Sequence, residues 1–282
     1  MAIIPGAINC APTFKEQTAL IAQEFMLKDT FTLANKEFSS RFLLGTGKFK
    51  NKGDLKASIL ASGARIVTVA MRRIDVDQHE ENILAYIPEG VTLLTNTSGA
   101  RTAEEAIRIA RLAKAAGHGN WVKIEVISDT KYLLPDNEET IKATQVLTEE
   151  GFVVLPYVTP DLYVARRLVK AGAAAVMPLG SFIGSNQGLK TREFIKVLID
   201  ETPLPVIVDA GIGAPSHACE AMELGAAAVL VNTAVAIADN PPMLARAFAQ
   251  AVEAGRAGFL SGLPAQKNSG HASSPLTGFL FQ

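Results

Sequence analysis

The sequence predicts an α/β fold, a single closed (β/α)8 TIM barrel, and three observations carry that expectation. Eight short apolar runs alternate with helical runs from Phe38 onward. The apolar runs are nearly continuous rather than alternating, as in parallel strands covered on both faces. The chain has 282 residues, which suits a barrel of about 250 residues folded as one unit. An open doubly wound sheet is built from the same βα repeat and stands as the alternative.

Taken in order, residues 1–37 read as an N-terminal extension. Met1 to Thr30 lacks the charged start, apolar stretch and small-residue cleavage site of a secretory signal. A weak helical pattern over Phe14–Leu27 fits a surface helix or a partly ordered arm, with a transit peptide as the lesser alternative. The barrel is expected over 38–260, with strands at Arg41–Gly45, Ile66–Ala70, Thr92–Asn96, Val122–Ile127, Val153–Val158, Ala174–Leu179, Val206–Asp209 and Val229–Asn232. Thr102 and Glu105 have capping-box spacing, and Ala106, Ile109, Ala110 and Ala113 then form an apolar stripe that ends before Gly117. Further helices are expected at Gly53–Ser62, Asn137–Glu150, Leu162–Ala171, Thr191–Glu201, Pro215–Leu224 and Pro242–Ala254, with a shorter one at His79–Tyr86. Gly63, Gly172 and Gly225 each follow a helical run and precede a strand, where glycine closes the helix in a left-handed turn. Residues 261–282 form a tail near the barrel mouth.

Composition narrows the function. With 48% hydrophobic residues and a formal charge of -1, the chain offers neither a disordered profile nor a polyanion-binding surface, so no nucleic acid is expected. No apolar run approaches the roughly 18 residues of a membrane span. Cys10 and Cys219 form no disulfide framework, which fits a reducing, cytoplasmic setting. His79, His118, His217 and His271 lack metal-ligand spacing, so no metal is expected, nor any cofactor.

Chemistry concentrates on Trp121-Val122-Lys123-Ile124-Glu125-Val126-Ile127. Side chains alternate along a strand, so Lys123 and Glu125 share the face opposite Val122, Ile124 and Val126. Buried charges need a partner or a task. The bland reading is an ion pair filling a polar core layer; the functional one comes from the other strand ends, because barrel active sites lie at the C-terminal face. The seventh predicted strand delivers Asp209-Ala210-Gly211-Ile212-Gly213 and the eighth Asn232-Thr233, at the usual phosphate site of this fold. The sixth ends in the glycine-rich loop Gly180–Gly188, suited to covering a substrate. Arg72, Arg73 and Arg101 add cations at the same mouth. A desolvated lysine with nearby carboxylates forms imines with carbonyls, so Lys123 reads as nucleophile and Glu125 and Asp209 as acid/base groups on a phosphorylated ketose or aldose.

Several separate stretches, in order, also carry a resemblance. They include Ser40-Arg41-Phe42-Leu43-Leu44-Gly45-Thr46-Gly47-Lys48, Asn96-Thr97-Ser98-Gly99-Ala100-Arg101, the Lys123 strand, Leu133-Leu134-Pro135-Asp136, Val176-Met177-Pro178-Leu179-Gly180-Ser181, Val208-Asp209-Ala210-Gly211-Ile212-Gly213 and Ala272-Ser273-Ser274-Pro275. On these residues the chain resembles the thiazole synthases of thiamine biosynthesis from Phe38 to the C-terminus. The resemblance implies a sulfur-incorporating transferase that condenses 1-deoxy-D-xylulose 5-phosphate, dehydroglycine and sulfur from the thiocarboxylate of a small sulfur-carrier protein. It implies that Lys123 forms the imine, that Glu125 and Asp209 move protons, and that Gly184, Ala210, Gly211, Asn232 and Thr233 contact substrate and phosphate. It further implies a dehydroglycine-producing partner enzyme and a homo-oligomer, with a tetramer as one form. Phe182 and the lead-in Gln266–His271 depart from the family pattern. Another Schiff-base barrel, of the pyridoxal-phosphate synthase or aldolase type, and a non-catalytic phosphosugar-binding assembly protein stay as alternatives.

Overall fold

A computed structural model describes residues 29–71, 83–270 and 273. Ten strands and eight helices are labelled here in chain order among these residues. A hairpin of β1 (Phe31–Leu33) and β2 (Lys36–Phe38) comes first, followed by β3 (Phe42–Gly45), α1 (Lys52–Ser62), β4 (Ile66–Ala70) and a 3-10 turn at Ile83–Tyr86. Then come β5 (Thr92–Asn96), α2 (Ala103–Ala115), β6 (Trp121–Ile124), α3 (Asn137–Glu149), β7 (Val153–Val158), α4 (Leu162–Lys170), β8 (Met177–Pro178) and α5 (Arg192–Glu201). The chain continues through β9 (Ile207–Val208), α6 (Pro215–Glu223), β10 (Ala228–Val231), the one-turn α7 (Thr233–Ala236) and α8 (Pro241–Ser261).

The main sheet runs β8-β7-β6-β5-β4-β3-β10-β9, and every neighbouring pair in it is parallel. Parallel bridges Val176 to Val206 and Leu179 to Asp209 join its two ends. The sheet therefore closes, and the (β/α)8 barrel expected from the sequence is the fold found. Alternation along each strand sorts the core into layers. Phe42, Leu44, Val67 and Val69 turn outward with Leu55 and Ile59 of α1, and Phe42 stacks on Phe248 of α8 at 6.1 Å. Leu43, Ile66, Leu94, Leu155, Met177 and Ile207 turn inward and fill the base of the barrel. Val122, Ile124 and Val126 pack outward on Ala106, Ala110, Ala143 and Leu147, which leaves the opposite face of that strand to Lys123 and Glu125.

Three strand ranges match expectation to the residue and most helix ranges fall within one residue of it; four differences have physical causes. The β1–β2 hairpin, which the reading of residues 1–37 as a surface helix or arm did not contain, turns through Ala34 (φ 48) and Asn35 (φ 61). Two left-handed residues make a tight primed turn, but no Gly announces it in the sequence. Helix α8 runs past Ala254 to Ser261, because Gly255 is a packing residue rather than a stop: a Cβ there would collide with the Cys219 carbonyl oxygen of α6. Only Gly262 (φ 74) closes that helix. Glu105 accepts from the Arg101 N–H at 2.8 Å, one residue before the expected Thr102, while Thr102 Oγ1 accepts from the Glu105 N–H at 3.3 Å. The strands expected at Ala174–Leu179 and Val206–Asp209 contract to β8 and β9, flanked by the isolated closing bridges.

Gly63, Gly172 and Gly225 all have positive φ, as their helix-ending role requires. Among the described residues no helix is long and apolar enough to cross a membrane. Phe14–Leu27, Arg72, Arg73, His79 and the tail beyond Gly270, Ser273 excepted, lie outside the described residues.

Candidate active site

The C-terminal ends of the strands open into a cavity of about 490 Å³. All eight residues singled out in the sequence line it: Lys123, Glu125, Asp209, Gly184, Ala210, Gly211, Asn232 and Thr233. Lys123 and Glu125 arrive from β6 and Asp209 from the end of β9, three strands away around the barrel. Lys123 is 4% exposed, Glu125 8% and Asp209 4%. The ammonium makes an ion pair with Asp209 Oδ2 and lies 3.5 Å from Glu125 Oε2. Beneath it the Tyr157 ring centroid lies 5.2 Å away, in cation–π contact.

Neighbouring strands fix these side chains. Thr97, fully buried just past β5, uses one hydroxyl twice, accepting from the Glu125 N–H at 2.8 Å and donating to the Glu125 carbonyl at 3.1 Å. It thus satisfies the backbone where β6 leaves the regular ladder. Asn96 Nδ2 donates to Glu125 Oε2 at 3.1 Å, and Asn96 Oδ1 accepts from the Ser98 N–H at 2.7 Å, which orients the amide. Asp209 Oδ1 accepts from the Ala210 N–H at 2.7 Å.

Burial alone would make Lys123 give up its proton more easily, which was the expectation from sequence. The two carboxylates facing it outweigh that effect, and the lysine is held above its ordinary value. Burial pushes the Asp209 carboxyl up; the attraction of Lys123 opposes this and the like charge of Glu125 adds to it. Both directions follow from one lysine and two carboxylates packed together out of solvent. Tyr157 is fully buried, its hydroxyl has no hydrogen-bond partner among the described residues, and burial followed by the two carboxylates pushes its ionisation up.

On the opposite rim three loops meet. Ala210 (φ 62) and Gly211 (φ 77) are both left-handed, and a Cβ on Gly211 would fall on Ser181 Oγ and lie 2.7 Å from the Ser181 nitrogen. Asn232 packs so tightly on the end of β3 that Cβ atoms on Gly45 and Gly47 would meet it at 2.5 and 2.7 Å.

A family model described as thiazole biosynthesis protein ThiG matches residues 32–275. The chain belongs to the ThiG family. It is 62% identical over 254 residues to the thiazole synthase of Pelotomaculum thermopropionicum, covering 90% of this chain and 99% of that protein. It is 61% identical over 254 residues to that of Moorella thermoacetica, covering 90% and 100%. Among solved structures, the BexX/CysO complex of Amycolatopsis orientalis contains a similar chain, with a TM-score of 0.76 and 33% identity over 85% of this chain and 98% of that one. A mandelate oxidase, at 18% identity and a TM-score of 0.58, covers 81% of this chain and 77% of its own and shares the fold alone.

Within this ThiG chain, sequence reasoning passed over Lys48, Asn96, Thr97 and Tyr157 as site residues. Lys48 carried a signal, since it follows Gly45-Thr46-Gly47 at a strand end. Tyr157 carried a fainter one in its place on β7, whereas the double bond of Thr97 to Glu125 depends on a break in the ladder that no spacing announces. Arg101 lines the cavity. Phe182, the departure from the family pattern, is 40% exposed and rests on Tyr132 at 5.4 Å between centroids. His217 Nδ1 accepts from the Gly213 N–H at 3.2 Å, and no metal-holding group of three side chains occurs among the described residues.

Proposed function

We propose that this chain is a thiazole synthase that works through an imine on Lys123. Its substrates are 1-deoxy-D-xylulose 5-phosphate, dehydroglycine and sulfur carried as a protein thiocarboxylate. The observation that carries this reading is the buried ammonium of Lys123, bracketed by Glu125 and Asp209 inside the mouth of the barrel. In the first step Lys123 hands its proton to Asp209, and the free amine adds to the ketone carbon of the sugar phosphate. The carbinolamine takes a proton on oxygen, loses water and becomes an imine. The imine acidifies the adjacent carbon, and Glu125, held by Asn96 and Thr97, accepts the proton released there. Returning protons to neighbouring oxygens expels further water as the chain rearranges toward sulfur addition. Gly184, Ala210, Gly211, Asn232 and Thr233 receive the phosphate and the sugar at the opposite rim.

The family relative BexX, seen in complex with CysO, supports a small protein partner that brings sulfur to the open mouth. A dehydroglycine-producing enzyme completes the supply. Assembly as a homo-oligomer is favoured by the exposed apolar side chains Tyr163 on α4 and Phe194 and Val197 on α5. The setting we assign is the cytoplasm. The test combines the protein with the sugar phosphate, dehydroglycine and a sulfur-carrier thiocarboxylate and follows thiazole phosphate by mass spectrometry. Product that depends on all three supports the proposal. No thiazole, or equal turnover of ribose 5-phosphate, contradicts it.

A further inference from the structure

We propose that Lys48 is the cationic ligand of the substrate phosphate, holding it against Gly184 and Thr233. The proposal deepens the phosphosugar reading above and rests on it. Lys123 cannot serve as that cation, because two carboxylates already surround it and the trio carries a net negative charge when ionised. A phosphate monoester near pH 7 carries between one and two negative charges, so it needs a countercharge elsewhere in the cavity.

Lys48 lies in the β3–α1 loop, three residues past the end of β3, and β3 pairs in parallel with β10, which brings this loop beside Asn232 and Thr233. The Lys48 side chain is exposed at the cavity mouth, lines the cavity, and among the described residues no carboxylate pairs with it. Its Nζ lies 3.2 Å from where a Cβ on Gly184 would stand, and the Thr233 hydroxyl oxygen lies 3.6 Å from the same point. An ammonium, a hydroxyl and a backbone open to close approach thus converge on one small space. Lys48 also holds a left-handed backbone at φ 67, a conformation that costs a non-glycine residue about 1 kcal/mol and concentrates at functional sites. Arg101 lines the same cavity from the loop before α2 and belongs to none of these contacts.

The test compares the full-length wild type with Lys48→Gln and Lys48→Arg, each variant first shown to unfold at the wild-type temperature. Gln keeps the same backbone strain and removes the charge. Two titrations are read: inorganic phosphate by calorimetry, and the sugar concentration that half-saturates borohydride trapping, using 1-deoxy-D-xylulose 5-phosphate and the sugar without phosphate. Lys48→Gln weakens phosphate and sugar phosphate by roughly 10–100-fold, the value of one charge-assisted contact, leaves the unphosphorylated sugar unchanged, and Lys48→Arg restores most of the loss. Unchanged phosphate binding, no phosphate binding by the wild type, or equal weakening of both sugars overturns the assignment. If the wild type traps no sugar phosphate while Lys48→Gln still weakens inorganic phosphate, the imine reading fails and the Lys48 assignment stands.

Discussion

At Lys123 two opposing effects meet, and their balance sets both chemistry and stability. Lys123 is raised, so the stability it contributes is full below its ordinary value of 10.5 and is lost only as pH rises through the folded value. Asp209 is raised as well, so its contribution is full below its ordinary value of 3.8 and fades as pH rises through the folded value. Lys123→Ala removes the cation that restrains Asp209, moving that loss toward neutrality. Urea unfolding should find this variant about 3 kcal/mol less stable than wild type at pH 8, with part of the deficit recovered at pH 5.5. An equal deficit at both pH values would speak against an unpaired buried carboxylate. Thr97→Val keeps the shape but strips the hydroxyl from both backbone groups of Glu125, and should cost about 2–3 kcal/mol while slowing product formation; an unaltered rate would remove Thr97 as a positioning residue. Lys123 and Glu125 were legible in the sequence because strand alternation needs only a parity count. Thr97 was not, since its contact lies across two strands.

Among the elements, the loops after β8 and β9 act as one piece. The Gly180 N–H donates to the Asp209 carbonyl at 2.9 Å and the Gly188 N–H to the Gly211 carbonyl at 2.8 Å, so Gly211 sits locked against Ser181. Gly211→Ala should destabilise the protein by about 2 kcal/mol or more and reduce capture of the sugar phosphate more than that of its unphosphorylated analogue. Wild-type melting and capture would show that the loops part freely. Strands Ile66–Ala70, Thr92–Asn96 and Val153–Val158 were legible to the residue because turn residues bound each apolar run. Helix α8 was not, because a glycine that admits a neighbouring backbone is spelled like one that ends a helix.

For the whole molecule, closure and plugging are the features composition could not decide. An open sheet and a barrel share the same βα text; the bridges between the ends of the sheet distinguish them. The β1–β2 hairpin seals the base, with Phe31 5.9 Å from Phe38 and Phe38 edge-on to Trp121 at 5.7 Å. Its three-residue strands are too short to show a period, so the sequence hid them inside an extension. Phe38→Ala should cost about 3 kcal/mol and shift the fluorescence of the sole tryptophan, Trp121, to longer wavelength as water enters. An unshifted spectrum would deny the plug. The mechanism of the whole molecule turns on where the sugar is captured. Borohydride reduction in the presence of 1-deoxy-D-xylulose 5-phosphate, followed by peptide mapping, should give one adduct on the peptide carrying Lys123 and none in Lys123→Ala; an adduct on any other lysine, or one that survives that substitution, would contradict it.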